Sequence, residues 1–200
     1  MSAHLYIEGA ESKEDQVRCR EGFRNLIGKL GFAAGKRMPR LSACGGRNAV
    51  FDHFKTAHAQ RKQGDYIAML VDSEDPVADG EKTWEHLKVR DNWDQPAGAD
   101  DEQVLLMTTC METWIVADRA ALKAHYGHRF KENTLPPLID LEKRNRKEVH
   151  EKLTQASSDC SNAYAKGKRS FEILAKLNPA VLNKHLPSFV RLERILKEKL

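Results

Sequence analysis

Tyr66-Ile67-Ala68-Met69-Leu70-Val71 is the longest strong apolar run in the chain. Its length suits one strand. Its unbroken hydrophobicity suits a parallel sheet covered on both faces, where side chains on either side of the pleat are buried. Upstream, Arg37–Cys44 reads as another strand, with Pro39 placing it at an edge or a strand start, and His4–Glu8 reads as a short first one. Between those two, Cys19, Phe23, Leu26, Ile27 and Leu30 recur at helical spacing over 14–30, and Gly31 supplies a stop. Gly45-Gly46 turns the chain into a second helix, about Asn48 to Arg61, with Val50, Phe51, Phe54, Ala57 and His58 on one face. Strand, helix, strand, helix, strand is the rhythm of βαβ crossovers. The expectation is an α/β fold with a mostly parallel, doubly wound central sheet flanked by helices.

Downstream, residues 75–102 break the rhythm with Pro, Gly, Asp and the tryptophans Trp84 and Trp93. A long polar segment leaving a strand end suggests a lid over whatever lies there, with short elements of its own and a tryptophan packed beneath it. Gln103–Thr108 reads as a fourth strand and Met111–Tyr126 as a helix. After Pro136-Pro137 the remainder reads as helices, the last with Phe189, Leu192, Leu196 and Leu200 on one side. The 200 residues favour one domain, with a core of about 1–127 and a helical C-terminal extension of about 138–200.

Several function classes drop out. No opening apolar segment follows a basic start, and no apolar run is long enough to span a bilayer, so a soluble cytoplasmic protein without a membrane partner is expected. Cysteines 19, 44, 110 and 160 are too scattered for a zinc knuckle and read as reduced thiols. Gly31–Lys36 (GFAAGK) approaches a phosphate-binding loop, but three residues separate its glycines and Arg37 stands where Ser or Thr would hold Mg²⁺. No G-x-G-x-x-G follows the first strand, and no G-x-S-x-G elbow occurs. The net charge of +4 is unevenly spread: residues 65–102 carry twelve acids against three Lys or Arg, and 143–199 carry fourteen bases against six acids. Such a division suits a metal beside a polyanion, or two solvated surfaces with no partner.

In open parallel sheets, ligands bind beyond the carboxyl ends of the strands. Glu8-Gly9 closes the first strand, and a carboxylate there is rigidly aimed, although a strand-terminal Glu can equally face water. Asp72-Ser73-Glu74-Asp75 closes the apolar strand. If extended geometry continues, Asp72 and Glu74 share a side, because side chains alternate. Two carboxylates so placed suit a hard, oxygen-seeking ion such as Mg²⁺ or Mn²⁺; the competing reading is an acidic turn. Glu112, just beyond the fourth strand, is a further candidate ligand or a first-turn acid favoured by the helix dipole. Arg47 at a helix start and the Lys166, Lys168, Arg169 cluster are candidates to meet phosphate.

Glu-Gly ending strand one, with an acidic pair ending a later strand, resembles the Toprim module of topoisomerases, primases and OLD-type nucleases. More closely, the chain resembles a bacterial Toprim-like family filed as domain of unknown function 4276. The segments carrying the resemblance are YIEG (6–9), RMPRLSACGGR (37–47), LVDSEDPV (70–77), LMTTCMETWIVAD (106–118), HYG (125–127) and KGKRSFEIL (166–174). The resemblance implies a Rossmann-like Toprim core and Mg²⁺-dependent phosphodiester chemistry on DNA or RNA. Glu8 would be metal ligand or general base, with Asp72 and Glu74 holding the ion; Lys168, read from the basic cluster itself, is a candidate to offset transition-state charge. Glu74 stands where the family pattern has Asp. OLD-type enzymes have a second Glu four residues after the first, where this chain has Ser12. Relatives often accompany an ATPase in phage defence, which implies an ATPase partner. A catalytically silent subunit of the same fold and a phosphotransferase or phosphatase for small substrates are the alternatives.

Overall fold

Four strands form the sheet of the computed structural model: β1 (Ala3–Ile7), β2 (Arg40–Ala43), β3 (Tyr66–Asp72) and β4 (Val104–Met107). The described residues are 2–9, 11–32 and 37–200, apart from the side chain of Lys168; most of the 31–36 stretch lies outside them. All three pairings are parallel and the order is β2-β1-β3-β4, so the chain moves outward from β1 first to one side and then to the other. The order therefore reverses between β1 and β3, the point at which α/β sheets open a crevice at their carboxyl edge.

The apolar run behaves as its composition demands. Every residue of β3 is buried: Ala68 and Leu70 join the core under one helical layer, and Ile67, Met69 and Val71 join the core under the other. On the first face lie α1 (Lys13–Gly28), α4 (Met111–Ala117), α6 (Arg146–Ser157) and α7 (Lys168–Leu174). The second face carries α2 (Arg47–Ala59) and α3 (Thr83–Asp91). Three further α-helices follow among the described residues: α5 (Arg119–Tyr126), α8 (Pro179–His185) and α9 (Pro187–Lys199), with α9 lying along β4. There Arg191 donates to the Val104 carbonyl of the edge strand (2.9 Å) and to the Asp101 carbonyl in the turn before it (2.8 Å).

Two expectations change. Residues 75–102 form no lid over the acidic strand ends. They fold α3 onto the second face, where Trp93 stacks on Phe51 at 4.3 Å and Trp84 packs against Phe51 and Phe54. Large aromatic surface is better buried against the sheet than held over a polar cleft. The charge blocks also do not make separate faces. Arg191 and Arg194 pair with Glu81, and Arg194 and Lys199 pair with Glu102, so acidic and basic segments partly neutralise each other at the α9 seam.

The packing of α1 on α7 fixes the wall of the site described below. A methyl group built on Gly22 of α1 would lie 2.9 Å from the backbone oxygen of Phe171 in α7. Backbone cannot yield as a side-chain tip does, so Gly22→Ala should push α7 away and cost about 1–3 kcal/mol. Chemical denaturation measures it; a loss below about 0.5 kcal/mol would mean that α7 is loosely seated.

Candidate active site

Gly9 and Gly45 hold the chain ends together above the sheet. Both adopt positive φ, 131° and 81°, and the Gly9 N–H donates to the Gly45 carbonyl at 3.0 Å. This bridge pins the exits of β1 and β2, so Glu8 is set by backbone rather than left to solvent. Glu8 Oε2 accepts from the Asp72 N–H (3.1 Å) and from Arg47 Nη1 (3.2 Å), which ties the ends of β1 and β3 through one carboxylate. Asp72 follows Ala68 and Leu70 in the row facing α1 and α4, and its Oδ1 accepts from the Met111 N–H at 2.9 Å, where α4 begins.

Glu8 and Asp72 line one cleft of about 600 Å³ together with Glu112, Lys166, Gly45, Gly46 and Phe171. A second cleft of about 520 Å³ shares Asp72, Glu112 and Lys166 and continues past Glu74 and Asp75 to α6. Asp75 is the one contribution of the 75–102 segment to either cleft. Glu112 is buried and accepts from the Tyr164 hydroxyl at 2.5 Å. Burial first, and then the negative charges of Glu8 and Glu112, raise the Asp72 carboxyl well above the ordinary range; Lys166 and the Met111 N–H act against them. Burial and two neighbouring carboxylates thus disfavour a bare charge on Asp72. The centre calls for a proton on Asp72 or a cation beside it.

The remaining candidates are placed differently from expectation. Glu74 does not continue the strand. The β3–β4 ladder ends where Ser73 N–H meets the Met107 carbonyl, and Glu74 takes a left-handed φ of 68° with its N–H on the Thr109 carbonyl. Its carboxylate is paired with Arg90 at 3.3 Å and with Arg146, and it lines only the second cleft. Arg47 is an internal cation rather than a phosphate contact. Its side chain is 13% exposed, it clamps Asp91 through Nε (2.8 Å) and Nη2 (2.6 Å), it donates to Glu8 and to the Asp72 carbonyl, and it lies 5.0 Å over the Trp93 ring. Arg169 donates to the Ala163 carbonyl and lines neither cleft. Lys166 lines both clefts. Lys168 opens α7, and its side chain lies outside the described residues. Burial pushes the Cys19 and Cys110 thiols up to about 12 and Cys44 to about 11, away from the reactive thiolate form.

Sequence reasoning missed Asp91 and Tyr164, which hold Arg47 and Glu112 in place. Each lies far along the chain from its partner, so only the fold reveals the pair.

Fold and site together define an α/β protein with helices on both faces of a parallel sheet and an acidic centre at its topological switch point. The family model for Domain of unknown function (DUF4276) matches residues 16–197, and the chain belongs to that family. No curated protein and no solved structure matches it. No helix among the described residues is long and apolar enough to cross a membrane.

Proposed function

We propose that this chain is a Toprim-like, divalent-metal-dependent phosphodiester hydrolase, or the nuclease subunit of a larger assembly, acting on DNA or RNA. The observation that carries the reading is the meeting of Glu8 and Asp72, from neighbouring parallel strands, in one cleft with Glu112 and Lys166. Among the described residues no group of three or more His, Cys, Asp or Glu forms a ready-made cage for an ion. The donor set nonetheless fits Mg²⁺ or Mn²⁺, because Mg²⁺ keeps several waters and is usually bound by one or two carboxylates plus substrate phosphate. Hydrogen bonds reach Oε2 of Glu8 and Oδ1 of Asp72, so the second oxygen of each is the one that would hold the ion. When bound, the ion supplies Lewis-acid polarisation of a phosphoryl oxygen.

The protein's own groups do the rest. Arg47 fixes the Glu8 carboxylate and leaves it unable to swing away. Tyr164 fixes Glu112 through its hydroxyl. Lys166 offers the positive charge that a phosphate needs on approaching three carboxylates. A catalytically silent subunit of the same fold is the second reading, and the turning of Glu74 toward arginines favours it.

Cleavage assays on single-stranded DNA, duplex DNA and RNA with Mg²⁺, Mn²⁺ or chelator separate the two. The expected result is cutting that needs metal and falls by about 100-fold or more in Glu8→Gln, the scale on which loss of a positioned charge acts. A parent protein that cuts none of the three with either metal would leave the silent-subunit reading standing.

A further inference from the structure

The second cleft runs from the acidic centre to the start of α6, and its far wall is basic. Arg146, Lys147 and His150 line it with Asn145, and Lys166 lines the same cleft. Positions 146, 147 and 150 lie on neighbouring ridges of one helix, while Val149, Leu153 and Ala156 turn inward to the core, so these polar side chains are directed away from the packed face. The wall is anchored to the site. The His150 ring meets Tyr164 edge-on at 5.6 Å, and Tyr164 in turn holds Glu112. Arg146 is paired with Glu74; among the described residues Lys147 has only a long ion pair, 3.8 Å to Glu151, and its side chain is 82% exposed. A cation that is exposed and weakly paired is available to a ligand.

We infer that the groove from Lys166 to Lys147 and His150 is the track of a nucleic-acid backbone, which carries successive phosphates past the acidic centre. This rests on the nuclease reading and adds to it where the polymer lies. The chemistry favours a strand over a small phosphate ester. Two clefts of about 600 and 520 Å³ share Asp72, Glu112 and Lys166, so the groove continues on either side of the reacting position. Lys166, Lys147 and the His150 N–H can each donate to phosphate oxygens, contacts that carry no sequence information.

The test is fluorescence anisotropy of labelled 30-nucleotide single-stranded DNA and RNA over a salt series, with Ca²⁺ present to neutralise the acidic centre. The proteins are the parent, a Lys147→Glu/His150→Ala variant and Lys123→Glu as a control, each verified as folded by circular dichroism. Lys123 lies on α5 and lines neither cleft. Affinity should fall about tenfold in the double variant, with a shallower salt dependence, and stay within about twofold of the parent in the control. Whichever of DNA and RNA shows the larger loss is the polymer that uses the track. Equal weakening in both variants would reduce the effect to net charge and overturn the track, as would unchanged affinity in the double variant. If the parent cuts nucleic acid while the double variant binds as well as the parent, the track alone fails. If the parent binds neither polymer, the track is overturned together with the polymer substrate, and metal binding at Glu8 and Asp72 is judged separately by titration.

Discussion

Replacing Arg47 with Ala should lower stability by about 3–5 kcal/mol, the usual cost of removing one partner of a buried ion pair. The guanidinium is the sole described partner of the Glu8 side chain besides the Asp72 N–H, and it takes both oxygens of Asp91, whose side chain is 7% exposed. Burial would raise the Asp91 carboxyl, yet Arg47 and Arg90 together hold it below its usual range, so ionised Asp91 depends on these cations. Arg47→Lys should also be damaging, by about 2 kcal/mol, because an ammonium cannot make the two parallel bonds to Asp91 or lie flat over Trp93. Urea denaturation of Arg47→Ala, Asp91→Asn and the double variant measures the coupling. The double variant should lose much less than the sum of the singles, and strict additivity would show that the pair is solvated rather than buried.

Asp72→Asn should have opposite effects on stability and on activity. The Asn side chain keeps an oxygen to accept from the Met111 N–H but carries no charge. It relieves the burial and the repulsion from Glu8 and Glu112 that raise the Asp72 carboxyl. A carboxyl raised in the folded state binds its proton more tightly there than in the unfolded chain. Its contribution therefore favours folding at low pH and is lost as pH rises from the ordinary carboxylate value through the raised one. Without metal at pH 7.5, Asp72→Asn should be more stable than the parent by on the order of 1–3 kcal/mol, and the advantage should vanish near pH 3. Metal-dependent cleavage should disappear. A variant that is less stable at pH 7.5 and still cuts with Mg²⁺ would contradict both parts.

Much of this fold was legible in the sequence because its strongest signal was local. An unbroken apolar strand with helical spacing on either side leaves few options besides a covered parallel sheet, and the sheet is parallel throughout. What failed depended on distant partners. Residues 83–91 have a weakly amphipathic pattern in which Trp84 and Leu87 alone suggest a stripe, and α3 forms because those side chains find Phe51, Phe54 and β4. The helix expected over 111–126 divides at Asp118, whose carboxylate caps α5 through the Ala121 N–H and also accepts from the Asn178 N–H, a demand set sixty residues away. Glu8 and Asp72 were legible as strand-end acids. Glu74 was misplaced because period-two alternation holds only while the strand does, and the ladder stops at Ser73.

The most direct test of the account is calorimetric titration of Mn²⁺ into the chelator-stripped parent, Glu8→Gln and Asp72→Asn. Binding to the parent should be saturable and weaken by at least about tenfold in each variant, since each removes one of the few charges available to an ion that takes only one or two carboxylates. Undetectable binding to the parent, or equal binding to all three proteins, would contradict it.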